Sequence, residues 1–286
     1  MHKPILLFLV SLIALPRLVQ AAQSYDNCIG FIDAVPAVIS TQGTWCLRHD
    51  LNTAINSGSA ITVATNNVTI DCNDFKLGDL AAGAGTQATG IQATGQLNNT
   101  VRHCNVRGFF VGLSLTGSVA VSGGHTIEDN RLDGNTYTGM QIGGDGSVVR
   151  RNRVSDTGGS TVAGGALGIA AYGSVDLQDN TVTGVAATSG SNGYARGILT
   201  VSNTDGAITG NRVRGLVKDG TGAALAIESS VSGALTVNVN DVVGDASAGS
   251  VGIRCSNTSG RARDNEIKGF VSGISGCADV SGNDIH

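Results

Sequence analysis

Proline is scarce in this 286-residue chain: only 3 occur, and Pro4 and Pro16 fall within the first 16 residues. A mid-sheet proline removes a ladder hydrogen bond, so the stretch beyond Pro36 is free to pair as strands. Charge is sparse too, at 14% against a usual share of about 25%. Aromatic residues are only 4%. A coiled coil or long-helix protein, rich in Glu, Lys, Leu and Ala, is thereby excluded. Collagen is excluded as well, because proline is rare and glycine shows no three-residue period. Disorder is excluded by an apolar share of 41% with a net charge of only −4. There is no CxxC pair and no Cys/His cluster, so the composition offers no zinc site. Glycine is abundant, at 42 residues, about twice the usual share. The chain therefore reads as β-rich, repetitive and built of small residues.

Residues 1–22 read as a secretory signal. Lys3 gives a basic start, Ile5 to Leu15 form an apolar core, and Val19-Gln20-Ala21 or Gln20-Ala21-Ala22 suits a signal peptidase. The apolar run is too short to span a bilayer, and no other stretch approaches one. The expected product is a secreted protein, periplasmic or extracellular. Removing Lys3 and Arg17 leaves 16 basic against 22 acidic residues, a formal charge of −6. That balance argues against a nucleic-acid partner.

One pattern returns along the chain: an apolar residue, two others, Asn, one other, an apolar residue. Its Asn slot is filled by Asn73, Asn130, Asn152, Asn180, Asn211, Asn240, Asn265 and Asn283, and by Cys104 in a ninth copy. Successive slots lie 31, 26, 22, 28, 31, 29, 25 and 18 residues apart, the spacing of a solenoid. Between copies sits a small residue followed by alternating apolar positions: Gly90-Ile91, Gly112-Leu113, Gly139-Met140, Gly168-Ile169, Gly197-Ile198, Ala224-Leu225, Gly252-Ile253 and Gly273-Ile274. Each turn then holds three short strands, and alternation puts every second side chain inside. Stacked turns make three parallel sheets around an aliphatic column. At the repeated bend, Asn is expected to adopt the left-handed conformation and to hydrogen-bond its equivalents above and below. The fold expected is an all-β parallel β-helix of about nine coils over residues 61–286, preceded by a cap over 23–60.

The segment Ile39-Ser40-Thr41-Gln42-Gly43-Thr44-Trp45-Cys46-Leu47, leading through Ala60-Ile61-Thr62-Val63 to Asn67-Val68-Thr69-Ile70-Asp71, resembles the first coil of secreted bacterial right-handed β-helix proteins of the pectin-lyase-like group. The resemblance extends over residues 28–286 and implies a right-handed solenoid. It says little of function, because this fold hosts lyases, hydrolases, epimerases and non-catalytic proteins alike.

Six cysteines allow fifteen pairings. On the repeat, Cys72 and Cys104 fall one residue apart in register on adjacent turns, as do Cys255 and Cys277. Neighbouring turns lie within disulfide range. Cys28 and Cys46 then pair by elimination in the cap. Buried free thiols are the alternative, and export argues against them.

In the resembling enzymes the active groove runs along the Gly-motif strand. Its outward positions here are Gln92, Thr94, Ser114, Thr116, Gln141, Ala170, Tyr172, Leu199, Ala226, Glu228, Arg254 and Ser275. A glycosidase needs two carboxylates across the scissile bond, and a calcium-dependent lyase needs several carboxylate oxygens for its ion. Glu228 is the only acid in this row. The paired acids and Gly-His-Gly of polygalacturonase-like families are missing, and Gly123-Gly124-His125 is no match. If the protein is an enzyme, Glu228 with Arg254 or Tyr172 is the acid/base set, and calcium is expected only for a lyase. No other cofactor and no metal site is expected; Asp71-Cys72-Asn73-Asp74 reads as a turn, and His49, His103 and His125 as structural.

Three long loops, 78–89, 155–166 and 183–197, precede Gly-motif strands. Tyr172, Tyr194 and Arg196, with Gln141 and Glu228, make a candidate sugar-stacking platform. On the other sheets Arg107, Arg131, Arg153, Arg212 and Arg214 form a candidate stripe for acidic polysaccharide; the simpler reading is a solvated face in which Arg131 meets Glu128, Asp129 or Asp133. Three functions are weighed: a non-catalytic exported β-helix that binds glycan or serves as a rigid surface module, a lyase, hydrolase or epimerase for acidic polysaccharide, and a self-associating solenoid whose uncapped last rung, Asn283-Asp284-Ile285-His286, pairs end to end.

Overall fold

The computed structural model describes residues 25–118, 121–201, 205–230, 235–256 and 260–286, so the expected signal segment lies outside the described residues. Nearly all regular structure is strand; one turn of 3-10 helix, Leu80–Ala82, interrupts it. Three parallel sheets result, one of 11 strands and two of 10. Sheet 1 holds the Gly-motif strands, sheet 2 the strands before the Asn bend, and sheet 3 the strands after it. Every ladder joins a strand to its equivalent one coil on. Each coil contributes one strand to each sheet, which makes the chain a parallel β-helix.

Period-two alternation sends at least one aliphatic of nearly every strand inward, and in-register stacking converts these into columns. On sheet 1 the column runs Ile61, Ile91, Leu113, Met140, Ile169, Ile198, Ile227, Ile253 and Ile274. Sheet 2 supplies Ile70, Val101, Ile127, Val149, Leu177, Ile208, Val237 and Ala262. On sheet 3 the central column reads Leu77, Val106, Leu132, Val154, Val182, Val213, Val242 and Ile267. Almost all are fully buried, at about 1.5–3 kcal/mol for each large aliphatic removed from water.

The glycine that opens each sheet 1 strand has a steric cause. A Cβ built on Gly168 would meet Val182 Cγ1 and the Gly197 carbonyl, each at 2.5 Å, and one on Gly197 would meet Val213 Cγ1 at 2.3 Å. The corner brings sheet 3 valines against backbone. Ala226, expected to face outward, occupies this corner and is fully buried.

The bend between sheets 2 and 3 corrects one expectation. The left-handed residue is the one before the Asn: Asp129 (φ 56°), Arg151 (53°), Asp179 (54°), Val239 (57°) and Asp264 (51°). That turn leaves the Asn side chain pointing inward, where it forms a ladder. Asn130 Nδ2 donates to Asn152 Oδ1 at 2.9 Å, and the same bond repeats from Asn152 to Asn180, Asn211, Asn240, Asn265 and Asn283. Each Oδ1 also accepts the main-chain N–H of the Asn one coil earlier. Asn73 is not a rung of this ladder. Its coil carries two extra residues at the bend, since Ile70 to Leu77 spans seven positions where Val101 to Val106 spans five. Asn73 takes φ 47° and donates to the Leu47 carbonyl instead. The Cys72–Cys104 disulfide lies beside this bend, and Cys104 N donates to Asn130 Oδ1, joining the covalent link to the ladder.

The other disulfides are Cys28–Cys46 and Cys255–Cys277, and no described cysteine is free. Three such bonds mark an oxidising compartment, extracellular or periplasmic. Coiling begins before residue 61: Ala37–Ile39, Gly43–Cys46 and Leu51–Asn52 already pair into sheets 1, 2 and 3. Most of the expected cap is thus a first coil. Among the described residues no helix is long and apolar enough to cross a membrane.

Candidate functional site

The outward row of sheet 1 follows the expected register: Gln92, Ser114, Gln141, Ala170, Leu199, Glu228, Arg254 and Ser275 face one another across successive coils. Loops between sheets 3 and 1 wall this row on one side. Where they are long, a cleft of about 370 Å³ opens, lined by Tyr137, Gln141, Leu167, Tyr172, Tyr194, Arg196 and Leu199 with the Ala163–Ala166 segment, Ser191 and Gly193. Gln141, Tyr172, Tyr194 and Arg196, separated by up to 55 positions in sequence, come together here.

Three of the chain's four tyrosines line the cleft. Tyr172 follows the outward row by two residues and is half-buried; burial, and next the negative field of Tyr137, raises its phenol pKa. It stays a neutral donor at any physiological pH. Tyr194 is 41% exposed and presents one ring face to the Arg196 guanidinium, 4.5 Å from its centroid. Tyr137 stacks on Phe110 one coil below, with centroids 4.7 Å apart and planes at 20°. Tyr137 and Phe110 are the aromatic residues that sequence reasoning missed. Their signal was the register: each immediately precedes one of the paired positions Val111 and Thr138.

Glu228 stands at the cleft's far edge. It is 3% exposed, with both oxygens engaged: Arg196 Nε donates to Oε2 at 2.5 Å, and Arg254 Nη2 donates to Oε1. A buried carboxylate demands such compensation. One anion between two guanidiniums leaves the cluster net positive, and it holds Arg196 against Tyr194. Glu228 and Arg254 form one ion cluster; Tyr172 is not bonded to it.

Arg131 and Arg153 occupy a different face. They project from sheet 3 into a groove of about 550 Å³ with Lys76, Arg107, Asp133, Ser155, Asp156 and Thr183. Arg212 lies outside that groove; it and Arg214 both reach Asp241, at 3.2 and 3.0 Å. The partners expected for Arg131 are taken: Glu128 meets Arg150 at 2.7 Å, Asp129 meets Arg151 at 2.8 Å, and Asp133 meets Arg107 at 3.2 Å.

The histidines hold local structure. His125 is buried, accepts from Asn99 N at 3.3 Å and shares a hydrogen bond with Ser122 Oγ at 3.1 Å. His103 faces Asp71 at 3.2 Å, and His49 contacts the Asp50 carbonyl. Among the described residues no three His, Cys, Asp or Glu side chains converge as a metal set.

Residues 89–272 match the family model of the right handed beta helix region, and the chain belongs to that family. No curated protein sequence matches it. Among solved structures it is similar to a mutant tailspike protein of E. coli bacteriophage HK620 in complex with a pentasaccharide, at 11% identity and TM-score 0.51, covering 90% of this chain and 59% of that one. A double mutant of the same tailspike, also with a pentasaccharide, matches at 10% identity and TM-score 0.50, covering 90% and 56%. The catalytic domain of an α-1,3-glucanase in complex with tetrasaccharides matches at 12% identity and TM-score 0.42, covering 88% and 62%. The chain thus spans less than two thirds of each of these structures, and at such identities the likeness is one of fold.

Proposed function

We propose that this is an exported β-helix protein that binds a glycan in the tyrosine-lined cleft of sheet 1 without cleaving it. The observation that carries the reading is the convergence of Tyr137, Tyr172 and Tyr194 with Gln141 and Arg196 on one concave surface. Aromatic faces pack against the C–H faces of sugar rings, while phenol, amide and guanidinium groups serve the hydroxyls. Export rests on the N-terminal signal pattern together with the three disulfides. At the level of fold only, the HK620 tailspike complexes support a saccharide as ligand.

The enzyme alternative requires a carboxylate free to exchange a proton, and a glycosidase requires two. Glu228 is tied at both oxygens, and no carboxylate lines the cleft among its described residues. This favours binding over turnover.

The test is a glycan array followed by titration of the best ligand with the full protein and with Tyr172→Ala and Tyr194→Ala. Each variant should weaken binding at least ten-fold, about 1.4 kcal/mol, with unchanged thermal unfolding. Release of new reducing or unsaturated ends at ordinary turnover would overturn the reading, as would an array on which nothing binds.

A further inference from the structure

Sheet 3 carries a second row of functional groups that the cleft does not use. Four consecutive coils each present one cation to the same groove: Lys76, then Arg107, then Arg131, then Arg153. Parallel ladders place these coils about 4.8 Å apart, so the four charges follow the solenoid axis over roughly 14 Å. The next coil offers Thr181 and Thr183, and the row ends there.

The electrostatics of this row differ from those of the other faces. On sheet 2 the outward row reads Asp71, Arg102, Glu128, Arg150, with signs alternating and both pairs closed at 2.7 Å. On sheet 3 Arg131 and Arg153 are direct neighbours across the ladder, and neither side chain makes an ion pair or hydrogen bond among the described residues. Like charges directly opposite destabilise a sheet. Burial does not compensate, because both are exposed. Lys76 and Arg107 have acidic partners, Asp50 and Asp133, so the unpaired positive charge centres on the two arginines.

We propose that this groove binds a linear acidic polysaccharide lying along the solenoid axis, with anionic groups on successive sugars met by successive coils. A guanidinium pairs bidentately with a carboxylate or sulfate. The remaining lining suits a hydroxyl-rich chain: Asp133 and Asp156 accept hydroxyl protons, and Asn105, Ser155 and Thr183 donate and accept. The lack of an aromatic side chain in the lining disfavours single-stranded nucleic acid, whose binding grooves combine positive charge with stacking rings. The site lies on a different sheet from the tyrosine cleft and does not depend on it.

The test measures retention of the full protein by polygalacturonate, dextran sulfate, neutral dextran and single-stranded DNA at low and high salt. Binding to polygalacturonate or dextran sulfate, weakened by salt, is expected; which of the two binds distinguishes carboxylate from sulfate. Arg131→Ala/Arg153→Ala should weaken it at least ten-fold, while Arg212→Ala and Tyr172→Ala/Tyr194→Ala leave it unchanged. Arg131→Lys/Arg153→Lys, which keeps the charge and removes the fork, should fall between. The proposal is overturned if neither acidic polymer binds, if DNA binds as well, if the double alanine variant weakens neutral dextran as much as the acidic polymers, or if Arg212→Ala matches the double alanine variant. Should the double alanine variant misfold, the lysine variant and the salt dependence decide: no loss in either overturns it.

Discussion

His125 shows how one buried side chain couples this fold to pH. Burial pushes its pKa down to about 4 from an ordinary 6.5. The unfolded chain takes up a proton near pH 6.5 and the folded chain only near 4, so stability is full above 6.5 and declines as pH falls through that window. The loss at the acid end is about 3 kcal/mol. Urea denaturation at pH 7.5 and 4.5 should show this decline, and His125→Gln should flatten it; equal slopes would dismiss the coupling. At the same scale, the chemistry of Glu228 was only half legible. Its place in the outward row followed from period two, but its capture by Arg196 and Arg254 depends on long side chains crossing between coils. The same limit applied to Arg131, whose expected acids are held by Arg150, Arg151 and Arg107. A list of neighbours in register does not say which cation reaches which acid first.

Strands and bends were more legible, because each is written nine times over. The alternating aliphatics place the three sheets, and Asn at one bend of nearly every coil places the corner between sheets 2 and 3. The exception, Asn73, matches the local pattern yet sits in a bend two residues longer, and only pairing across coils reveals the insertion. The Asn ladder makes a sharp energetic prediction. In Asn180→Ala the side-chain amide and main-chain N–H of Asn152 lose their acceptor, and the Val149 carbonyl loses its donor. Orphaning buried polar groups costs about 1–3 kcal/mol each, so with three such groups a loss of about 3 kcal/mol or more in chemical denaturation is expected. A loss under 1 kcal/mol would mean that water or a neighbouring group replaces the missing amide. Phe110 and Tyr137 mark the other limit of sequence reading at this scale, since both occupy short corners where no alternation exists to assign a face.

Across the whole molecule, strand contacts join a coil to the coils beside it, and a longer reach is made by the 78–89 loop, whose Ala84 carbonyl accepts from Thr161 N at 3.0 Å; stability is distributed along an axis rather than around a centre. Amide hydrogen exchange should be slowest in the middle coils, at Val149, Leu177 and Ile208, and fastest toward Ser272–Ser275 and Asp284–Ile285. Replacing Cys72 and Cys104 by serine opens a link between residues 32 positions apart, worth about 3–4 kcal/mol in the chain-entropy view. Protection should fall in the coils around residues 60–110 and stay unchanged beyond Leu177; a uniform fall would instead signal one all-or-none unit. The three corners of each coil also differ in their tolerance of added length. One, between sheets 2 and 3, is pinned by a column of interlocked amides, and the one from sheet 1 to sheet 2 varies from Tyr172–Val175 in one coil to Thr94–Thr100 in another. The third, where sheet 3 passes to sheet 1, has room to lengthen, running from Arg107–Val111 in one coil to Ala186–Ala195 in another. Added length thereby gathers at the two corners that flank sheet 1, and one of these borders the tyrosine cleft. A scaffold so arranged can change what it recognises by lengthening one edge of each turn while its cylinder keeps the same cross-section.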